Sequence, residues 1–467
     1  MKSLKDLMFV CLGCVAMSVF AAPKVDKVLV RQQWPWNDKV EIEYVISGVE
    51  GKVDVACQVY NGEAEIEVPA KAFTGARFGL SDGLYRMYFH PTKAFGNQNV
   101  PKKLEFRLSL TPYDAQGKYA EVIYKIYSLQ DGSRTDITRG ELLNGKWGAV
   151  ESDFGEIGEG YKTELADVCI WTGVTNNPKY KTTHIVMRKI DKGKLKLSKD
   201  VIAEDAEPNV NITKDYWISV FEVTQSQFEH IYISKTTALG WKGNTGERQT
   251  YEYGNVWTNS LAPVHALNTY MLVNGGAGRV PFDKVDWSST LGFFPKLYKR
   301  TGCHFYLPTT AQWHKAARAG TRTWYYDGIE ISKPSSFAKV SNADVLGRYK
   351  GNGGVTYNDD GSAITNGTVE VGLYRPNAYG LYDMFGNASE VMIDSSYDTG
   401  KWPTTLTDDY SVDQDTYNRG VLGGQYNSEG RITYNTTGQI HAASNRNIGA
   451  GLRLWLSDEE ASLQNVQ

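Results

Sequence analysis

Cysteine and histidine hold soft metals and move protons, and in this chain both are sparse and scattered. Beyond the first 21 residues only Cys57, Cys169 and Cys303 remain. Three thiols permit at most one intramolecular disulfide, and their wide spacing makes no zinc pattern. The seven histidines are His90, His184, His230, His265, His304, His314 and His441. None forms an H-x-x-x-H or H-x-H pair. Imidazole ligation would need a cluster built by the fold, such as His304 with His314 and His441; separate core or surface histidines are the plainer expectation. The residue types suit a hard metal better. Gly386-Asn387-Ala388-Ser389-Glu390 sets an amide oxygen and a carboxylate three apart, both suited to Ca²⁺. Such an ion would replace the regular hydrogen bonds a long loop lacks. The other role open to Asn387 and Glu390 is to satisfy local backbone amides.

The elements that must position these residues change character along the chain. From about 24 to 130 the period is two: Val40, Ile42, Tyr44 and Ile46; Val53, Val55, Cys57 and Val59; Phe106, Leu108 and Leu110; Val122, Tyr124 and Ile126. Turn signals such as Asn61-Gly62 and Gln116-Gly117 separate the runs. About seven strands in this span predict an antiparallel sandwich of the immunoglobulin or fibronectin type, without the Cys-Trp-Cys spacing of true immunoglobulins. Trp34 and Trp36 read as core packing of an N-terminal strand. Residues 131–160 break any period and read as a linker. From 161 to 457 the chain is glycine-rich and loop-rich, with helices over Thr224 to Ile233 and Thr309 to Ala319. Residues 458–467 read as a polar tail.

The chain has 467 residues, with Lys+Arg 50 against Asp+Glu 53 and a net charge of −3. That length suits two or three domains, and the charge balance argues against a nucleic-acid binder. Lys2 and Lys5 precede an apolar run from Leu7 to Phe20, and Val19-Phe20-Ala21 suits cleavage after Ala21. Residues 1–21 therefore read as a signal peptide. A start at Cys14, after Leu12-Gly13, is the lipoprotein alternative. No second long apolar run follows, so no membrane span is expected. The protein is expected to be exported: periplasmic, secreted or on the cell surface.

Six segments, in order, resemble the sulfatase-modifying-factor family, also called formylglycine-generating-enzyme-like domains. They are Tyr216 to Thr224, Pro263-Val264, Phe305-Tyr306-Leu307-Pro308-Thr309-Thr310-Ala311-Gln312-Trp313, Asn377-Ala378-Tyr379-Gly380-Leu381-Tyr382-Asp383-Met384-Phe385-Gly386-Asn387, Leu422 to Tyr426, and Gly451-Leu452-Arg453. The resemblance implies an α+β, C-type-lectin-like domain over 161–457, preceded by the all-β domain over 22–130, which it does not cover. It also implies calcium under the loops after the 377–387 run, with a second site matching Asn342-Ala343.

The oxidases of this family resemble copper(I) enzymes with two cysteines just after the Gly-Gly motif. Counted from Gly423-Gly424, those places are Ser428 and Thr433, and no cysteine follows Cys303. Hydroxyls neither hold Cu(I) nor exchange disulfides, so no copper is expected. The Trp-Glu-Trp that follows Gly-Asn-Val in the family is Ser389-Glu390-Val391 here. Two function classes follow. One is an exported binding or scaffold module for a peptide, glycan or cell-surface protein, with Trp241, Trp257, Trp324 and Tyr325 lining a groove. The other is an enzyme of the same superfamily, using a relocated catalytic site or three clustered histidines around non-haem iron. Lost cysteines and scattered histidines favour the first.

Overall fold

The structure is a computed structural model. It describes residues 22–32, 38–96, 101, 103–152, 162–165, 167–195, 210–232, 261–264, 272–273, 285–329, 343–353, 355–357, 363–365, 367–394, 402–403, 405–411, 418–428, 441–442 and 450–462. The signal segment, Cys14, Trp34, Trp36, Trp241, Trp257, His265, Asn342 and Thr433 lie outside the described residues. The chain divides into two compact units, Met1–Asp114 and Ala115–Gln467.

The first unit is built from alternation. In β2 (Val40–Ser47) every even residue is buried and every odd one half-buried. That strand joins β1 (Lys24–Gln32), β6 (Gly83–Phe89) and β5 (Phe73–Gly75) in a sheet ordered β1-β2-β6-β5. A second sheet is ordered β4-β3-β7, from β4 (Ala64–Ile66), β3 (Val53–Asn61) and β7 (Leu104–Pro112). Inward residues of both sheets, among them Ile42, Tyr44, Val55, Val59, Phe89 and Phe106, share one apolar cluster. A short helix α1 (Pro91–Phe95) follows β6.

The sequence reading placed Val122, Tyr124 and Ile126 in this first unit, and that placement is corrected. Strand β8 (Val122–Ser128) pairs with β9 (Arg134–Thr138) and β10 (His184–Ile190). Reading every second residue hid the partners of the other face. Ile123 and Tyr127 are wholly buried too, so β8 is covered on both sides like a central strand. The linker expected over 131–160 is likewise part of the second unit as far as it is described. It holds β9 and α2 (Arg139–Leu143), whose N-terminal Thr138 forms a capping box with Glu141.

The second unit is organised on a sheet ordered β14-β13-β10-β8-β9, completed by β13 (Tyr216–Ser219) and β14 (Trp455–Ser457). Between β10 and β13 lie β11 (Gly193–Lys194) and β12 (Val210–Ile212). Helix α3 (Gln225–Tyr232) begins where Thr224 accepts from the Gln227 N–H and Gln227 Oε1 accepts from the Thr224 N–H. Helix α4 (Phe293–Thr301), not singled out in the sequence, buries Phe293, Phe294 and Leu297. Helix α5 (Thr310–Arg318) opens on a capping box between Thr309 and Gln312 and buries Trp313, Ala316 and Ala317. The later strands are short and lie between loops. Of these, Ser389–Val391 pairs antiparallel with Val421–Leu422 and parallel with Ala450–Gly451.

The residues read as a polar tail begin instead with a helix, Asp458–Ser462. Asp458 accepts from the Trp217 indole, Glu460 accepts from His304, and Ala461 is wholly buried.

Candidate functional site

The run 377–387 is held by side chains that answer backbone groups. Asn377 donates to the carbonyls of Ala316 and Ala317 at the end of α5, 2.7 and 3.0 Å away. Its Oδ1 accepts from the N–H groups of Tyr379 and Leu381. One amide thereby fixes the run to the helix and shapes its turn. Gly380 follows with φ 83°, and a Cβ there would meet the Tyr124 hydroxyl at 2.5 Å. Asp383 and Asn387 also take left-handed backbone, with φ 56° and 59°. Their neighbours impose that conformation, because short polar side chains accept it at modest cost.

Beneath this run lies a fully buried charge cluster. Glu222, Asp383, Glu390 and Arg453 are each 1% exposed or less. The Arg453 guanidinium donates through Nε and Nη2 to Glu390 Oε1, at 2.8 and 2.7 Å. It also donates to the carbonyls of Ser219, Val220 and Tyr382. Glu390 Oε2 accepts from the Trp313 indole. Glu222 accepts from Asn387 Nδ2 and from the Ala388 N–H, both at 2.8 Å. Asp383 Oδ2 accepts from the Gly372 N–H, while its buried Oδ1 has no hydrogen-bond partner. Lys181, which also acts on Asp383, is itself paired with Glu370 at 2.8 Å.

Three carboxyls thus share one guanidinium. Burial, then the charges of Asp383 and Glu390, push the Glu222 carboxyl well above its usual range. Burial also raises Asp383, to about 6, against the pull of the Gly372 N–H. The guanidinium stays charged because Glu390 outweighs the cost of burying it. This cluster ties the segment after β13, the 377–391 run and the segment before β14 into one piece. It faces no solvent, so its chemistry is structural.

Asn387 and Glu390, the expected calcium ligands, are both members of this arrangement or its rim. Asn387 Oδ1 accepts from the Val369 N–H, and the Glu390 oxygens are occupied by Arg453 and Trp313. A calcium ion held by these two side chains would have to displace a guanidinium, so the residues as placed do not fit it. Among the described residues no three His, Cys, Asp or Glu side chains converge to hold a metal.

Ser428, expected from its offset to stand where the family's oxidases carry their first copper cysteine, closes a turn. Ser428 Oγ accepts from the Gln425 N–H at 3.0 Å, and the Ser428 N–H returns to the Gln425 carbonyl at 2.7 Å. The Ser428 carbonyl accepts from the Lys350 N–H. Tyr426 N–H donates to Asn387 O, and Gly386 N–H to Gly423 O, so the turn is seated against the 377–387 run.

The two thiols of this unit lie in its interior. Cys169 and Cys303 are buried in separate apolar clusters, both free, and burial pushes both thiols up. Cys57, in the first unit, is pushed up to about 12. Thiols held neutral are poor ligands and poor nucleophiles.

Of the histidines that the alternative cluster would need, His304 and His314 stand in different surroundings. His304 Nδ1 is 2.8 Å from Glu460 Oε1, and its ring stacks on Tyr298. His314 is wholly buried against Trp313 and Trp402, and neither ring nitrogen has a partner. Burial, then Arg318, lowers it to about 3, so it is a neutral core residue. The His441 backbone pairs with Arg419. Trp324 and Tyr325, expected in a groove, are buried in the core around α5. They are large apolar side chains, and the interior takes them.

A family model described as the sulfatase-modifying factor enzyme 1-like domain matches residues 173–457, more than half of the chain. The chain belongs to that family. The chaperone protein LppX of Paenibacillus barcinonensis is 25% identical over 211 residues, 43% of this chain and 68% of that protein. The formylglycine-generating enzyme of Mycobacterium tuberculosis is 37% identical over 84 residues, 18% of this chain and only 25% of that enzyme's length. Among solved structures, variable protein 1 of Treponema denticola aligns with a TM-score of 0.40 and 18% identity, covering 59% of this chain and 96% of that one. PvdO from Pseudomonas aeruginosa aligns with a TM-score of 0.37 and 19% identity, covering 58% and 94%. In this sulfatase-modifying-factor domain, Glu222 and Arg453 are the site residues that sequence reasoning quoted without a role. A charge inside an apolar run, as in Val220-Phe221-Glu222-Val223 and Leu452-Arg453-Leu454, was the available signal, since such charges are buried only in pairs.

Proposed function

We propose that this chain is an exported binding or scaffold module on a sulfatase-modifying-factor domain, and that it does not oxidise cysteine. The carrying observation is the Ser428 turn. Where an oxidase of this family needs a thiolate, a hydroxyl here accepts a backbone hydrogen bond and closes the loop. The two thiols of the same unit lie in separate apolar clusters and are held neutral by burial. The second unit takes the C-type-lectin-like α+β fold and the first an immunoglobulin-like sandwich. The likeness to a protein named as a chaperone favours a polypeptide ligand over a glycan. Among the described residues no helix is long and apolar enough to cross a membrane. Export after Ala21 rests on the N-terminal pattern.

The test is to incubate copper-loaded protein with a cysteine peptide of the sulfatase type and oxygen, and to read the peptide mass. No conversion above a no-enzyme control is expected, while an array of unfolded peptides retains the protein. Conversion that is lost in Cys303→Ser would overturn the reading and make Cys303 the nucleophile.

A further inference from the structure

Among its described residues the N-terminal unit is one strand short of an immunoglobulin-type sandwich. An immunoglobulin-type sandwich lays strands A, B, E and D in one sheet and C, F and G in the other. Here β1, β2, β6 and β5 take the first four places, and β3 and β7 take those of C and F. Among the described residues no strand occupies the place of G beside β7. The next strand in sequence, β8, is used in the second unit, paired with β9 and β10. So β7 presents a nine-residue edge whose outer side makes no ladder among the described residues.

The surface along that edge is apolar. Leu104, Leu108 and Leu110 of β7 point inward yet are only half-buried. On β1, which runs beside β7, Val28 and Val30 are 41% and 43% exposed, although Tyr44 and Ile42 opposite them are wholly buried. A strand in the empty place would cover all of these. Long open apolar edges recruit strands unless something blunts them.

We infer that the edge docks a second copy of this chain, β7 against β7, antiparallel about a two-fold axis through Phe106. Five residues of β7, Leu104 to Leu108, are self-complementary in that register, and Ser109 onward falls opposite the residues before the strand. Side chains opposite one another in an antiparallel pair share a face. Leu104 then meets Leu108 of the second copy on the inner face, and Phe106 meets Phe106. On the outer face Glu105 meets Arg107, twice, once on each side of the axis. These are the only charged residues of Leu104–Pro112. Both are about half exposed, at 56% and 49% of their side chains, and within one copy Arg107 Nε already donates to Glu105 Oε1. Pairing therefore exchanges two exposed local ion pairs, one in each copy, for two cross-strand ones without burying a lone charge. The product is a continuous sheet ordered β4-β3-β7-β7-β3-β4, closed by symmetry. A foreign strand would need the same alternation and the same charges in mirrored order; a second copy carries both by construction.

The test is sedimentation velocity of the chain from residue 22 onward across a concentration series. A monomer–dimer equilibrium is expected. Arg107→Glu sets like charges opposite each other twice and should weaken the dimer at least about tenfold. The double swap Glu105→Arg/Arg107→Glu restores opposite charges and should restore the dimer. Both positions are solvent-facing, and circular dichroism of each variant checks that the fold is kept. A chain that is monomeric throughout would overturn the inference and leave the edge to another polypeptide. A dimer indifferent to Arg107→Glu would overturn it equally, since the contact would lie elsewhere.

Discussion

Replacing Arg453 by Met should be among the most damaging single changes in the second unit. Methionine fits the length of the side chain but removes the one guanidinium facing Glu222, Asp383 and Glu390. Breaking one side of a buried ion pair costs about 3–5 kcal/mol, because the remaining charge is left uncompensated. The carbonyls of Ser219, Val220 and Tyr382 lose their donors as well, at about 1 kcal/mol each where nothing replaces them. Protonation of the carboxyls offsets part of this, so a net loss of about 4 kcal/mol is expected. At roughly 2 °C per kcal/mol for a domain of this size, the melting temperature should fall by about 8 °C. Glu390→Gln keeps an acceptor for the Trp313 indole and should cost less, about 1–3 kcal/mol. Tryptophan fluorescence on heating is the assay, since ten of the twelve tryptophans lie in the second unit. If Arg453→Met melts within about 2 °C of the parent, or loses less than Glu390→Gln, the cluster is not what ties these segments together.

Four further outcomes can be measured on the same material. His314 sits near 3 when folded against an ordinary 6.5, so the unfolded chain takes up its proton first and His314 costs stability as pH falls below 6.5. His314→Leu should therefore gain about 2 kcal/mol on the parent between pH 6.5 and 5, and a gain independent of pH would contradict the placement. Asp383, raised to about 6 from 3.8, has the opposite sign: its contribution is full below about 4 and is lost as pH rises through 6. Denaturant melts of Asp383→Asn should gain on the parent as pH rises from 4 to 7; no such trend would show the carboxyl to be ionised in the fold. Gly380→Ala combines left-handed backbone with a 2.5 Å approach to Tyr124 and should cost about 2 kcal/mol or more, whereas Gly145→Ala, also left-handed but open, should cost about 1. Equal costs would mean the Tyr124 contact is slack. Whatever response the protein gives to calcium and chelator should be unchanged in Glu390→Gln; a response lost with that substitution would restore Glu390 as a ligand.

Local signals were legible in the sequence and long-range pairings were not. The even-numbered residues of β2, the Thr224 and Thr309 helix entries and the 377–387 run could all be read within a few residues of themselves, because period, caps and turns are local physics. Strand β8 was read correctly as a strand but given to the wrong sheet, since pairing depends on residues far along the chain and both of its faces are buried. The same limit applied to Asn387 and Glu390. Their spacing suggested two oxygens waiting for calcium, yet the partners that occupy them are Val369, Arg453 and Trp313, all distant in sequence from Glu390 or folded back onto Asn387. The offset from Gly423-Gly424 singles out Ser428, but it carries no sign that the hydroxyl closes the 425–428 turn, because that depends on the backbone conformation of the loop.

Copper(I) affinity of the purified protein, measured by competition with a chromogenic chelator under anaerobic conditions, bears most directly on the claim that this member of the family has given up copper chemistry. Without a thiolate pair the protein should leave the metal with the chelator, and Ser428→Ala should behave as the parent does. Tight binding of one equivalent of Cu(I), abolished by Cys303→Ser or Cys169→Ser, would show that a thiol site assembles after all and would contradict the binding-module reading.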